Sequence, residues 1–285
     1  MSTPPPDRLP APGTPAEPGP RRLRLGIAYL GGGFEGWQVQ RIVRAGGAPQ
    51  PRTVQGEIEA ALGSLFAARV PVQGAGRTDA GVHADGQVAH ADVPPGAPWI
   101  PPEGIRRAMN TRLPADVRVT SVSEAPEGFH ARFSAAGKVY VYRLRRGGWL
   151  PPHAGLVEAL ASEPLDVAAM RDAAARLVGR RDFAPFSITG GSSATTVRTL
   201  FSLDVLEEGP LLVVTAVGDG FLRGMVRRLV GTLRDAGRGR IAPGDAPDRP
   251  GPTAEARGLT LSRVLYPPEE PAAAPPCRGS PGATG

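Results

Sequence analysis

Cysteine, lysine and long apolar runs are what this chain most nearly lacks. Its single cysteine, Cys277, lies in a terminal stretch rich in Pro, Gly and Ala. One thiol excludes an internal disulfide framework and a cysteine metal cluster. The four histidines, His83, His90, His130 and His153, show no ligand spacing, so no metal centre is expected. No run of about 18 apolar residues occurs, so no membrane-spanning helix is expected. The N-terminus has no basic start leading into an apolar stretch, which argues against a secretory signal and for a cytoplasmic protein. A Walker loop and a Gly-x-Ser-x-Gly elbow are both missing.

Arginine is what is plentiful. Lys138 is the only lysine, yet the formal net charge is +6 and the pI about 10.3. Guanidinium groups grip phosphate in a bidentate manner and stack on bases, so such a chain leans towards a polyanionic partner. Charge alone is equally compatible with an Arg-for-Lys compositional bias that carries no function.

Residues 1–20 hold eight prolines and almost no large apolar side chains, and read as a disordered leader. Residues 269–285 read as a matching loose tail. The body between them divides into an N-terminal half, 21–135, and a C-terminal half, 136–268. Leu23, Leu25, Ile27 and Tyr29 alternate as in a strand. Thr53 caps a helix whose apolar face is Val54, Ile58, Leu62, Leu65 and Phe66. Short strands at 70–74 and 86–93 flank a loop at 75–85. A helix starting near Pro101 carries Ile105, Met109 and Leu113, followed by strands near 116–123 and 137–145. Asp166 caps a helix with Val167, Met170, Ala174 and Leu177 inward. Strands at 197–206 and 211–217, a helix near 221–236 and a short strand at Val264–Leu265 complete the pattern. Two similar β/α halves imply an α+β fold with a largely antiparallel sheet and a cleft between the halves.

Gly31, Gly33 and Gly36 match Gly-x-Gly-x-x-Gly after a strand, but Trp37-Gln38-Val39-Gln40 follows where a dinucleotide site needs a helix. The segment 74–87 is different: four glycines and three alanines surround Arg77, Asp79 and Asp85. One reading is an ordinary turn in which Thr78 or Asp79 caps backbone amides. The other is a carboxylate on a tight backbone beside a guanidinium, the surroundings of a nucleophile or base.

The run Gly76-Arg77-Thr78-Asp79-Ala80-Gly81-Val82-His83 resembles the signature of the TruA-type tRNA pseudouridine synthases. Further segments resemble that family in the same order, among them Gly36-Trp37-Gln38, Thr53-Val54-Gln55-Gly56, Phe129-His130-Ala131-Arg132-Phe133 and Lys138-Val139-Tyr140-Val141-Tyr142. Later come Gly220-Phe221-Leu222, Met225-Val226-Arg227 and Gly251-Pro252-Thr253-Ala254. The likeness spans roughly residues 23–267. It implies the pseudouridine synthase fold, with a basic RNA-binding cleft between the halves. It also implies isomerisation of uridine to pseudouridine at positions 38, 39 and 40 of the tRNA anticodon arm, without cofactor or metal, by a homodimer.

By the same resemblance Asp79 is the catalytic residue. Arg77 handles the substrate, Tyr140 stacks on the target base and Arg227 pairs with the aspartate. Attack at C1′, addition at C6 and assistance to a glycal route all remain open for Asp79. For Tyr140 the residues alone also allow a cross-strand filler role. Arg143, Arg145, Arg146, Arg180, Arg181, Arg223 and Arg228 are expected to contact phosphates.

Departures from the family pattern are Leu30 in place of an acid, a longer linker at 41–52, a compressed stretch at 237–250 and Glu255 in place of a proline. Two rival functions are a non-catalytic RNA-binding module and a nucleoside-processing hydrolase pairing Asp79 with a second carboxylate. No acid nearby in sequence supplies that partner.

Overall fold

The computed structural model describes residues 21–40, 50–190, 194–242, 244–245 and 247–268. The readings of 1–20 and 269–285, most of the linker at 41–52, and Cys277 lie outside the described residues.

Alternating Leu23, Leu25, Ile27 and Tyr29 all point inward from strand β1 (Arg21–Tyr29). The glycines after it form one tight 3-10 turn, Gly31–Gly33, and not the helix N-terminus that a dinucleotide would need. Thr53 caps helix α1 (Val54–Phe66), its hydroxyl accepting from the Gly56 amide at 3.3 Å. Strands β2 (Val72–Gly74) and β3 (His83–Val93) bracket the signature loop. Helix α2 (Pro102–Asn110) buries Ile105 and Met109 against β4 (Val117–Glu124). Burying one such side chain stabilises by roughly 1.5–3 kcal/mol.

Strand β5 (Gly137–Arg146) and the short β6 (Ala159–Ala161) open the C-terminal half. Asp166 caps helix α3 (Val167–Leu177) by accepting from the amides of Ala168 and Ala169. Strands β7 (Gly179–Asp182), β8 (Val197–Glu208) and β9 (Leu211–Gly218) lead to helix α4 (Met225–Gly237), which packs on α3. The chain ends its described part in β10 (Leu259–Leu265).

The strands join in a single, mostly antiparallel sheet of order β4-β1-β3-β10-β5-β9-β8-β7, with β2 on β3 and β6 on β5. This is the expected α+β class.

Besides shifts of two or three residues at the ends of β2 and β3 and the unforeseen short β6, three elements differ clearly from the sequence reading. Helix α4 begins at Met225 and leaves Phe221 outside it, because Gly224 adopts the left-handed region (φ +69°) and breaks the helical path. The polar segment Gly-Arg-Arg-Asp forms edge strand β7 without any apolar alternation to announce it. Strand β10 is longer than Val264–Leu265 and central. Its period is hidden by a register shift between Leu261 and Arg263 and by burial on both faces at Leu259–Leu261.

The position of β10 sets the geometry of the site. Leu261 is in register with Ala84 of β3 on one side and with Tyr140 of β5 on the other. The end of the signature loop and Tyr140 are therefore two strand spacings apart, about 10 Å across the sheet.

Candidate active site

Asp79 sits in the loop between β2 and β3, and the loop is held along its backbone. The Thr78 carbonyl accepts from the Trp37 amide at 3.1 Å, and the Gly81 amide donates to the Phe34 carbonyl at 3.3 Å. The Gln87 side-chain amide donates to the Gly76 carbonyl at 2.9 Å. Thr78 Oγ1 and the Tyr29 hydroxyl lie 2.8 Å apart in a buried hydrogen bond. Burial pushes the Tyr29 hydroxyl up to about 12, so it stays neutral in this pairing.

Gly36 makes the approach possible: at φ +93° a side chain is strained, and its Cβ would stand 2.6 Å from the Thr78 carbonyl oxygen. The segment that resembled a nucleotide motif thus serves as a clamp on the signature loop.

Two guanidinium groups face the Asp79 carboxylate. Arg223 Nε is 3.9 Å from Oδ1, and Arg227 Nη1 is 3.9 Å from Oδ2. These separations give Coulombic attraction without a hydrogen bond. The carboxylate oxygens thus keep hydrogen-bonding capacity for a substrate. Arg227 is held from behind, where its Nε donates to the Ala254 carbonyl at 2.6 Å and the Ala254 amide donates back to the Arg227 carbonyl at 3.1 Å. Arg223 is looser and more exposed, its Nη1 donating to the Thr189 carbonyl at 3.2 Å. The two arginines are four residues apart, on either side of the Gly224 break at the start of α4.

Arg77 does not face the aspartate that follows it. Its Nε donates to Gln38 Oε1 at 3.1 Å and the side chain lies exposed. A spacing of two residues around Thr78, whose side chain turns inward to Tyr29, sends Arg77 and Asp79 to different neighbours. The guanidinium beside the carboxylate is supplied by α4 and the turn before it.

Tyr140 is buried, with its ring edge-on to Phe221 at 5.1 Å between centroids. Burial, then the neighbouring Tyr29 and the Asp79 charge, hold its hydroxyl well above the ordinary phenol range. Its hydroxyl has no hydrogen-bond partner among the described residues. Tyr142, two positions on, instead donates its hydroxyl to the Glu255 carbonyl at 3.1 Å and is fully buried. The strand period that puts both rings on one face does not give them one job. Tyr142 fills the core, and Tyr140 stands where the Asp79 field reaches it.

Other sequence candidates go elsewhere. Arg145 forms a two-point ion pair with Glu158, and Arg146 pairs with Glu207 at 3.0 Å, so internal acids already occupy these expected phosphate contacts. Arg228 donates to the Pro185 and Ser187 carbonyls. His83 bridges the Gly31 amide and the Arg257 carbonyl. His90 accepts from the Ala131 amide, and burial, then His130 and Arg22, lower it to about 4. Both histidines act as neutral connectors. Among the described residues no group of three His, Cys, Asp or Glu side chains could hold a metal ion.

A cavity of about 500 Å³ lies away from Asp79, between α3 and β8, lined by Arg171, Val178, Phe201 and Leu206. A smaller one of about 200 Å³ adjoins the site and is lined by Ser187, Thr189, Thr196 and Arg223. The role of Arg223 beside Asp79 was not readable from its surroundings. Its i, i+4 spacing to Arg227 was the available signal, and the Gly224 turn obscured it.

The chain matches the profile of the tRNA pseudouridine synthase family over residues 32–134 and 173–267. It is 43% identical over 276 residues to tRNA pseudouridine synthase A of Oleidesulfovibrio alaskensis, covering 87% of this chain and 97% of that one. The same-named protein of Listeria innocua is 41% identical over 256 residues, covering 86% and 99%. That of Geobacter sulfurreducens is 38% identical over 256 residues, covering 86% and 100%. The signature loop, the clamp at Gly36 and both Asp79-facing arginines all fall inside the matched segments. On the family match and these full-length identities, the chain belongs to the tRNA pseudouridine synthase family.

Proposed function

We propose that this chain isomerises uridine to pseudouridine at positions 38, 39 and 40 of the tRNA anticodon arm, with Asp79 as its catalytic carboxylate. The observation that carries the reading is Asp79 itself: a partly exposed carboxylate on a clamped loop, between two guanidinium groups that leave its oxygens free. Such a group suits nucleophilic or base chemistry on a sugar or base.

In this reading Tyr140 meets the extruded uracil. Base–aromatic contact compensates part of the stacking lost on flipping, at roughly 1–3 kcal/mol. Arg227 holds the carboxylate and the charge that develops near it. Arg77 is exposed beside the loop and engages the RNA strand. A homodimer that seats one tRNA across both subunits, working in the cytoplasm, completes the proposal. In keeping with it, no helix among the described residues is long and apolar enough to cross a membrane.

The test is direct. Unmodified tRNA is incubated with the wild type and with Asp79→Asn, and pseudouridine is mapped by carbodiimide treatment and primer extension. Product at the three anticodon-arm positions from the wild type alone, with comparable tRNA binding by both proteins, is the expected result. Equal product from the variant would remove Asp79 from the chemistry, and release of free uracil would make the chain a hydrolase.

A further inference from the structure

The only lysine of the chain is not on its surface periphery. Lys138 lies on β5 two residues before Tyr140, on the same face of the strand, and its side chain runs along the signature loop. A Cβ added to Gly76 would meet Lys138 Cε at 3.1 Å and Nζ at 3.9 Å. The side chain is half-buried beside Gly76, three residues before Asp79 along the loop, and its ammonium keeps contact with solvent.

The charges that act on it are mostly positive. Arg132, from the segment before β5, and Arg198, on β8, both press on its charge. The one acid that favours the ammonium is Asp219, after β9, and its Oδ2 already accepts from the Thr199 amide at 3.0 Å. Lys138 has no hydrogen-bond acceptor among the described residues. A half-buried cation without a protein acceptor, in the field of like charges, is left without a counter-charge by the folded chain. The stem's packing on Gly76 does not account for it, since a methionine would fill that space without the charge. An anion arriving from outside does account for it, and an RNA strand entering the site carries one phosphate per nucleotide.

We propose that Lys138 is a substrate-binding residue whose ammonium receives a backbone phosphate of the RNA beside the target uridine. The proposal rests on the reading of this chain as an RNA-modifying enzyme. It adds a binding point on the Tyr140 side of Asp79 to the guanidinium groups of Arg223 and Arg227.

Because the lysine is unique, full-length protein grown with ¹³C-lysine has a single Cε resonance to follow. In the free protein its titration midpoint is expected near 8, set by burial first and then by Arg132 and Arg198 against Asp219. With saturating unmodified tRNA transcript, the midpoint rises by about one unit or more, a roughly tenfold gain in proton affinity. The product keeps every phosphate, so turnover during the measurement does not alter the contact.

Reciprocity then requires wild-type tRNA affinity to weaken as pH rises through the free midpoint. Lys138→Arg, which stays charged, binds equally across that range. Lys138→Met binds about tenfold more weakly at neutral pH without a lower melting temperature.

A midpoint that stays or falls while tRNA is bound would overturn the proposal. So would a Lys138→Met protein that melts earlier and binds tRNA as the wild type does, since that is the behaviour of a structural lysine. The underlying reading fails separately. A wild type that shifts the lysine signal but makes no pseudouridine is an RNA binder with this subsite. A wild type that makes pseudouridine with an unmoved signal lacks the subsite alone. Absence of tRNA binding would sink both.

Discussion

Arg227 and Asp79 face each other at 3.9 Å, and the arginine is held in that position by a two-way exchange with Ala254 rather than by the aspartate. The carboxylate is attracted but not saturated. A conventional bidentate pair would fill its lone pairs and blunt its chemistry.

Removing the held cation should therefore cost turnover. We expect Arg227→Met to lower single-turnover rates about 100-fold, near 3 kcal/mol of transition-state stabilisation, with a much smaller change in tRNA affinity. Arg223→Met, on the looser and more exposed side, should lose about tenfold or less and weaken binding in parallel. Equal effects in both variants would show that the hold by Ala254 is irrelevant to catalysis.

Tyr140 has a simpler expectation. Tyr140→Leu removes the aromatic face and should reduce turnover far more than affinity, while Tyr140→Phe keeps the face and the edge contact with Phe221. If the leucine variant turns over normally, Tyr140 is a cross-strand filler like Tyr142. Single-turnover kinetics with matched binding curves decide between them.

Gly36→Ala tests the clamp. A side chain at φ +93° and 2.6 Å from the Thr78 carbonyl must push the signature loop away or strain the turn. We expect a loss of about 1–3 kcal/mol in denaturant unfolding, and a fall in rate beyond what the stability change explains. Gly32→Ala is the control, since nothing lies within 4 Å of its Cβ position.

Arg145 and Arg146 should prove indifferent to RNA. Their guanidinium groups are taken up by Glu158 and Glu207. Substitution by Gln should leave the salt dependence of tRNA binding unchanged, whereas losing a true phosphate contact lowers that slope by about one. Binding isotherms over a series of salt concentrations give the answer.

Stability should also depend on Lys138. The folded chain lowers this amine to about 8, below its ordinary value of 10.5, so folding disfavours its proton. Its destabilisation is present in full below the folded value and is relieved as pH rises from there towards the ordinary one. Relative to Lys138→Met, the wild type should gain stability across that window, which paired denaturant melts at neutral and alkaline pH can measure.

The sheet's alternating Leu23, Leu25, Ile27 and Tyr29, the Thr53 and Asp166 caps, and the loop carrying Asp79 were all legible in the linear chain. Each depends on local chemistry: a period of two, a side-chain oxygen within reach of a free amide, a run too small and polar to pack. The neighbours of Asp79 were of another kind. Arg77 is adjacent in sequence yet turns to Gln38, while Arg223 and Arg227 arrive from about 150 residues away, brought there by the packing of α4. Likewise Leu261, in a strand whose pattern is broken by a bulge, separates the loop from Tyr140. Local periodicity and capping are written in contiguous residues, so they can be read there. Which charges share a site depends on strand order and on where a helix is made to begin, and those follow from long-range packing that no short window of sequence contains.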